Sequence, residues 1–61
     1  MMNIKNIKPY NNKNQRHGYW EVYLPNGKLH YKGNYINNEQ IGYWEIYDDN
    51  SKITCKEYHI L

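Results

Sequence analysis

The chain contains an internal repeat, and this feature restricts the fold more than any other. Residues 18–37 align with residues 42–61 without a gap at an offset of 24 positions, and nine of the twenty aligned residues are identical. Repeats of this length are typical of proteins in which each unit is one supersecondary element that buries its apolar side against the next unit. The sequence predicts two such units in residues 17–61, preceded by a basic arm and leading half repeat in residues 1–16. Within that half repeat, Lys8 falls on Lys32 and Tyr10 falls on Asn34.

Each unit has the alternation of polar and apolar residues that is typical of β-strands. In the first unit Trp20 and Val22 alternate with Tyr19, Glu21 and Tyr23, and the second unit repeats this pattern. Helical spacing fits both segments poorly, so we expect each unit to be a β-hairpin.

Asn26 and Gly27 are the strongest turn signal in the chain, because both residues tolerate the positive φ that a two-residue type I′ turn requires. Asn50 and Ser51 are a weaker copy of this signal. With the turn at Asn26 and Gly27, the residues that face each other are Leu24 and Leu29, Val22 and Tyr31, and Trp20 and Gly33. A three-residue turn over 25–27 would place Leu24 opposite Lys28 and mix charge into the apolar set. The hydrophobic pattern therefore favours the two-residue turn.

The predicted fold is all-β: a single antiparallel β-meander of about five short strands, near residues 4–10, 19–25, 28–36, 43–48 and 52–59. One face of this sheet carries the apolar residues, which are Trp20, Val22, Leu24, Leu29, Tyr31, Trp44, Ile46 and Ile53. The opposite face carries the candidate partner-binding residues, which are Tyr19, Tyr23, Tyr43, Tyr47, Lys32 and Lys56. A single layer would leave the apolar face exposed, so we expect a second copy to cover it in a homodimer.

The motif Gly-Tyr-Trp-Glu-x-Tyr, followed by Pro-Asn-Gly-Lys-Leu, Tyr-Lys-Gly-Asn-Tyr and a second Gly-Tyr-Trp, resembles the MORN repeat. It is most similar to the variant in small bacterial proteins described as antitoxins. The resemblance covers residues 17–61 and implies repeated hairpins that bind proteins or, in some members, membranes, without catalysis. The residues that it marks as structural are Gly18, Trp20, Tyr23, Asn26, Gly27, Tyr31, Gly33, Tyr35, Gly42, Trp44 and Tyr47. Ser51 and Glu57 stand where glycines are expected.

The sequence shows no motif for catalysis, metal binding or cofactor binding. Cys55 and the histidines lack the short spacing of metal ligands, and the glycines are not clustered ahead of a helix as in phosphate loops. Cys55 and His59 would lie about 13 Å apart on one strand, which is too far for a catalytic dyad. We therefore expect no enzyme, no metal and no cofactor.

The chain also lacks the apolar segments that mark membrane and secreted proteins. No apolar run approaches the about 18–20 residues of a membrane span, and the first residues do not form a secretory signal. A single cysteine, Cys55, suits a reducing compartment. We expect a cytoplasmic protein without a membrane span.

These features favour a small module that binds an unidentified target protein by occupying its surface, as an antitoxin-like or phage or mobile-element-encoded inhibitor would. Tyrosine offers a large contact area at a low entropy cost, so the tyrosine-rich face is the expected contact surface. The alternative is a single-stranded nucleic-acid or nucleotide binder, in which bases stack on the tyrosines and the basic arm neutralises phosphate. The basic residues of that arm are Lys5, Lys8, Lys13 and Arg16. The net charge of only +2 and the acids Glu21 and Glu45 among the tyrosines make nucleic acid the less favoured partner. A structural assembly component is the third alternative.

Overall fold

The structure, a computed structural model, describes residues 6–60 as one antiparallel sheet without helices. Its strands are β1 Gly18–Tyr23, β2 Leu29–Ile36, β3 Glu39–Tyr47 and β4 Ile53–His59, and they lie side by side in chain order. The all-β meander is confirmed, with four strands instead of about five. In the predicted first strand, near 4–10, only isolated bridges form at Ile7 and Tyr10. Residues 4 and 5 of that strand, Lys5 of the basic arm and Leu61 of the second unit lie outside the described residues.

The predicted two-residue turn at Asn26 and Gly27 is wrong. The amide of Gly27 donates to the carbonyl of Leu24 at 2.9 Å, and the amide of Leu24 donates to the carbonyl of Lys28 at 2.8 Å. Residues 25–27 therefore form a three-residue loop, in which Gly27 has a φ of 89°. A type I turn that ends in a left-handed residue is the usual three-residue connection, and Pro25 suits its first position.

A bulge reconciles this turn with the register that the hydrophobic pattern predicts. Trp20 pairs with Gly33 and Val22 pairs with Tyr31, as expected, but Tyr23 pairs with Leu29. His30 is therefore the extra residue on β2, and it absorbs the one-residue mismatch between turn and sheet.

The second hairpin has the same irregularity. The amide of Asp48 donates to the carbonyl of Lys52, Ser51 has a φ of 64°, and Thr54 is the extra residue opposite Tyr47. The predicted two-residue turn at Asn50 and Ser51 is therefore wrong as well.

The type I′ turn lies between the two hairpins. Asn37 and Asn38 have φ values of 48° and 72°, and Ile36 pairs with Glu39 across them. Asparagine tolerates the left-handed region better than other non-glycine residues, so two of them close this connection without glycine. The turn allows β3 to begin at Glu39, four residues before the predicted start.

The segment before β1 folds back along the outer edge of that strand. Ile7 and Glu21 exchange backbone hydrogen bonds of 2.8 and 3.0 Å. The indole of Trp20 donates to the carbonyl of Pro9 at 3.0 Å.

These contacts correct the alignment of the leading segment by one position. The indole of Trp44 donates to the carbonyl of Asn34 as Trp20 does to Pro9, so Pro9 corresponds to Asn34 at an offset of 25. Tyr10 then corresponds to a tyrosine, Tyr35, and not to Asn34.

The core consists of aromatic side chains on one side of the sheet. Trp20, Tyr35 and Trp44 are 4%, 5% and 1% exposed, with Val22 and Tyr31 packed against them. The ring of Tyr35 contacts both indoles edge-on, with centroids 5.1 and 4.9 Å away. The prediction that Trp20 and Trp44 share a face is confirmed.

The glycine that the sequence paired with Trp20 is covered by the other indole. A Cβ atom at Gly33 would lie 2.1 Å from the ring of Trp44. Each tryptophan therefore pairs in register with the following strand, while the ring of Trp44 leans over the preceding one. Glycine at position 33 is required by this close approach and not by its backbone conformation.

Candidate binding surfaces of the sheet

The face opposite the indoles carries two rows of tyrosine, glutamate and tyrosine, one on β1 and one on β3. We call it the tyrosine face; its residues are Tyr19, Glu21, Tyr23, Lys32, Tyr43, Glu45 and Tyr47. In the first row, the hydroxyls of Tyr19 and Tyr23 donate to the two oxygens of Glu21 at 2.6 and 2.7 Å. Side chains two positions apart on a strand point to the same side, so one carboxylate can bind both neighbours. The strand alternation in the sequence is what builds this row.

The second row, 24 positions later, has the same arrangement. The Tyr43 hydroxyl donates to Glu45 at 2.8 Å, and the Tyr47 hydroxyl donates to the other oxygen of the same carboxylate at 2.5 Å. The tyrosine rings at the outer positions remain well exposed, with Tyr19 at 41% and Tyr43 at 45%. The face therefore exposes aromatic ring surface, while the tyrosine hydroxyls are fixed by hydrogen bonds to Glu21 and Glu45.

These hydrogen bonds change the acidity of both partners. Hydrogen bonds from Tyr19 and Tyr23 hold the pKa of the Glu21 carboxyl below its usual value. Burial, together with the hydrogen bond to Glu21, raises the pKa of Tyr19 to about 12. Hydrogen bonds from Tyr47 and Tyr43 likewise lower the pKa of Glu45. Both rows are thus ionised at glutamate and protonated at tyrosine near neutral pH.

The two lysines of the predicted contact set differ in their surroundings. Lys32 lies 3.3 Å from the Oε1 atom of Glu45, and this hydrogen bond raises the pKa of Lys32. Lys56 stands opposite Glu45 on β4, but the carboxylate oxygens are already taken by Tyr43, Tyr47 and Lys32. Lys56 is exposed and forms no ion pair within the described residues.

A row of alternating charge therefore crosses the whole sheet. Glu21 pairs with Lys32, Lys32 with Glu45 and Glu45 with Lys56, one residue from each strand. Opposite charges directly across from each other stabilise neighbouring strands. The row ends at β4 with a cation.

The apolar face does not need a second copy to cover its indoles, because the chain buries them itself. Tyr10 packs edge-on against Trp20 with centroids 5.4 Å apart, and the Arg16 guanidinium lies 4.4 Å from the ring centre of Tyr35. The homodimer stays a prediction. The reason for expecting it was an exposed apolar face, but Trp20 and Trp44 of that face are buried within one chain.

The other members of the predicted self-association set lie around this core. Tyr31 stacks on Trp44 and Val22 packs against the core, and these two residues are half-buried, as are Leu24 and Ile46. Leu29 and Ile53 pair with Tyr23 and Tyr47, which belong to the tyrosine face. Leu29 and Ile53 therefore lie on that side and not on the predicted apolar face, because the bulges at His30 and Thr54 shift the alternation of side chains along their strands.

The basic arm is partly ordered against the sheet. Arg16 donates from its backbone amide to the side-chain oxygen of Asn38 at 2.7 Å and from its guanidinium to the Tyr35 hydroxyl at 3.0 Å. Lys8 and Lys13 are exposed. Arg16 therefore joins the loop before β1 to the turn between β2 and β3, and it is not a free phosphate contact.

Cys55, Glu57 and His59 follow one another at every second position of β4. Glu57 lies between the other two, 3.6 Å from the Cys55 sulfur and 2.9 Å from His59 Nε2. Burial and the hydrogen bond to Glu57 raise the pKa of the Cys55 thiol, which opposes thiolate formation. Within residues 6–60 no cluster of histidine, cysteine and acidic side chains is arranged to hold a metal ion.

No family model matches the chain, and no significant match is found among curated proteins or solved structures. Residues 6–60 contain no helix that is long and apolar enough to cross a lipid bilayer.

Sequence reasoning missed the residues that organise these surfaces. It placed Glu21 and Glu45 among the tyrosines but did not predict the hydrogen bonds that they accept from the tyrosine hydroxyls. The spacing Tyr-x-Glu-x-Tyr, present twice, is the signal that predicts the rows. For Arg16 and Asn38, which lie 22 positions apart, the sequence carries no comparable signal.

Proposed function

We propose that the chain is a non-catalytic protein-binding module whose tyrosine face occupies a surface of a target protein. The observation that carries the proposal is the pair of rows in which Glu21 and Glu45 each bind two tyrosine hydroxyls. Tyrosine is enriched at binding hot spots because it combines a large ring with few rotatable bonds. Fixing those bonds before binding lowers the entropy lost on association.

The proposal extends to the kind of protein. Two hairpin units with a leading half unit, similar to the MORN-repeat variant, form a compact surface that blocks a target by covering it, as an antitoxin-like or mobile-element inhibitor does. The contacts that recur 24 positions apart, at Glu21 and Glu45, support this repeat. A reducing cytoplasm suits the module, since Cys55 has no second cysteine in the chain.

The charges of the tyrosine face favour protein over nucleic acid. Single-stranded nucleic acid requires cations beside the stacking rings, but here an ionised carboxylate lies between the tyrosines of each row. Lys32 is paired with Glu45 and Arg16 is held by Tyr35 and Asn38. Phosphate would have to displace these contacts.

Site-specific photo-crosslinking in cells that encode the chain tests the proposal. A photoreactive phenylalanine analogue replaces Tyr43, and in a matched control it replaces Tyr10, which is similarly exposed at 56% but packs against Trp20. We expect one discrete protein adduct from position 43 and none from position 10. Equal adducts at both positions, adducts to nucleic acid, or adducts only to the chain itself would contradict the proposal; the last result would indicate an assembly component.

A further inference from the structure

The outer edge of β4 differs from the outer edge of β1. The backbone of β1 is engaged by Ile7 at Glu21, and the Tyr23 amide donates to the side chain of Asn6 at 2.8 Å. Among residues 6–60, no backbone hydrogen bond reaches β4 from its outer side. An unpaired edge of this kind is a template for an additional strand.

The side chains along this edge determine which residues an added strand needs in order to bind. Lys56 is the last member of the charge row that crosses the sheet, and Glu45, its neighbour within the sheet, already binds three other groups. Lys56 also borders an open groove of about 490 Å³ that is lined by Ile53, Thr54 and Cys55. Two positions along the same face, Tyr58 is 74% exposed. The charge row is completed only by an acid on the next strand.

We propose that the outer edge of β4 binds an extended segment of a partner protein by antiparallel strand addition, with an acidic residue opposite Lys56. This rests on the proposed function as a protein-binding module and names its mode of recognition. Because opposite residues in antiparallel strands share a face, the partner residue that faces Tyr58 lies two positions before the acid. The recognised pattern is an apolar residue, any residue, and then aspartate or glutamate.

A second copy of the chain does not meet these requirements. In a symmetric pairing of β4 with β4, residues that face each other have the same parity. The single acid of β4, Glu57, pairs with Trp44 and so lies on the other face from Lys56, which pairs with Glu45. No symmetric register places an acid opposite Lys56.

A strand with a tryptophan placed as in β1 or β3 cannot pair with the outer edge of β4, because its indole would have no space there. The ring of Trp44 leans over the preceding strand at Gly33, where even a Cβ atom would lie 2.1 Å away. On β4 the corresponding position is Glu57, which pairs with Trp44 as Gly33 pairs with Trp20. The Glu57 side chain occupies the space that the indole requires, so the occupant is a strand without this tryptophan.

Selection from a display library of short linear peptides of random sequence tests the proposal on the full chain. We expect selected peptides to share an acid two positions after an apolar residue, and the acid-to-amide peptide to bind about two- to fivefold more weakly. On the Lys56→Glu variant the preference should change to lysine or arginine at that position. Amide hydrogen exchange with bound peptide should slow in β4 and not in β1.

Four results would overturn the proposal. These are a selection without a fixed acidic position, peptides that bind Lys56→Glu and the parent chain equally, protection of β1 in place of β4, and association of a Lys56→Thr variant with itself while no acidic peptide binds the parent chain. In the last case Lys56 would serve only to prevent strand pairing. A discrete protein adduct at Tyr43 together with any of these results would retain the protein-binding module and reject the β4 edge.

Discussion

Replacing Gly33 by alanine tests the close contact at the centre of the core. The added Cβ would lie 2.1, 2.2 and 2.5 Å from three atoms of the Trp44 ring, whereas real carbon contacts need about 3.5 Å or more. Trp44 is 1% exposed, and its indole donates to the carbonyls of Asn34 and Ile41 at 3.2 Å. Because the ring is buried and hydrogen-bonded, moving it away from position 33 would strain these contacts.

The magnitude follows from two limits. Overpacking a core costs about 1–3 kcal/mol, and losing the packing of a buried tryptophan altogether costs about 3–5 kcal/mol. We expect Gly33→Ala to lower the free energy of unfolding by about 2–4 kcal/mol. A chain of this length has only about 3–9 kcal/mol in total. A domain of this size loses about 8 °C per kcal/mol, so the midpoint of thermal unfolding should fall by about 15–30 °C.

Urea unfolding followed by tryptophan fluorescence and far-ultraviolet circular dichroism measures this loss, and Gly42→Ala is the control. Gly42 has a φ of 69° but no atom within 4 Å of a Cβ built there, so its loss is backbone strain alone, about 1–2 kcal/mol. In a double-mutant cycle, Trp44→Leu should cost less in the Gly33→Ala background than in the parent, and equally in the Gly42→Ala background. A Gly33→Ala chain within about 0.5 kcal/mol of the parent, or an additive cycle with Trp44→Leu, would refute the contact.

Four further predictions concern the rows and the loops. Because the folded-state pKa of Glu45 lies below its usual value of 4.5, its contribution to stability is present above pH 4.5 and lost as the pH falls through the lower folded-state value; Glu45→Gln should flatten this part of the urea-midpoint profile. The pKa of Tyr19 is raised to about 12, so its contribution is lost between pH 10 and 12, and Tyr19→Phe should remove the last phenol to ionise in a 295 nm titration. Arg16→Met should destabilise the fold by about 1–2 kcal/mol, since it removes charge-assisted hydrogen bonds and a cation–π contact. Hydrogen exchange at the Asn38 amide should then be faster in the variant than in the parent chain. Equal exchange in the variant and the parent would contradict the contact. Asn38→Val should lower the free energy of unfolding by about 1–2 kcal/mol more than Asn38→Gly, because valine is strained at a φ of 72°.

The parts of the fold that the sequence predicts are those fixed by burial. Pairing of Trp20 with Gly33 and of Val22 with Tyr31 follows from alternation, because a shift of one residue would move every apolar side chain to the opposite face. The same argument places Trp20 and Trp44 on one side. It carries no information about rings that lie over a neighbouring strand, and so it does not predict that Trp44 covers Gly33.

The predicted two-residue turns are wrong because each hairpin contains a bulge. A bulge allows a three-residue loop to connect strands that keep the predicted register. The two-residue turn follows from the hydrophobic pattern only if the ladder continues unbroken to the turn. His30 breaks the ladder, so Pro25 can take its favoured place in a three-residue loop while the register beyond Val22 is kept. The I′ turn at Asn37 and Asn38 contains no glycine, which is the residue that marks such turns most clearly in a sequence.

The sequence predicts which residues lie on the tyrosine face but not the hydrogen bonds that they form there. Alternation places Tyr19, Glu21 and Tyr23 on one side, and that is sufficient to bring their polar ends together. The cover over the core, in contrast, includes Tyr10 against Trp20 and Arg16 over Tyr35, both from the segment that folds back over the sheet. Such long-range packing leaves no periodic signal in the sequence, which is why the need for a second copy was inferred.

The central claim is that one chain buries its own indoles and leaves the tyrosine face for a partner. Acrylamide quenching of tryptophan fluorescence, measured along a dilution series in which sedimentation velocity reports the mass, tests this claim most directly. Trp20 and Trp44 should stay protected from the quencher in the monomer, at a level that does not change with concentration. Indoles that are quenched freely in the monomer and become protected only on association would contradict the account.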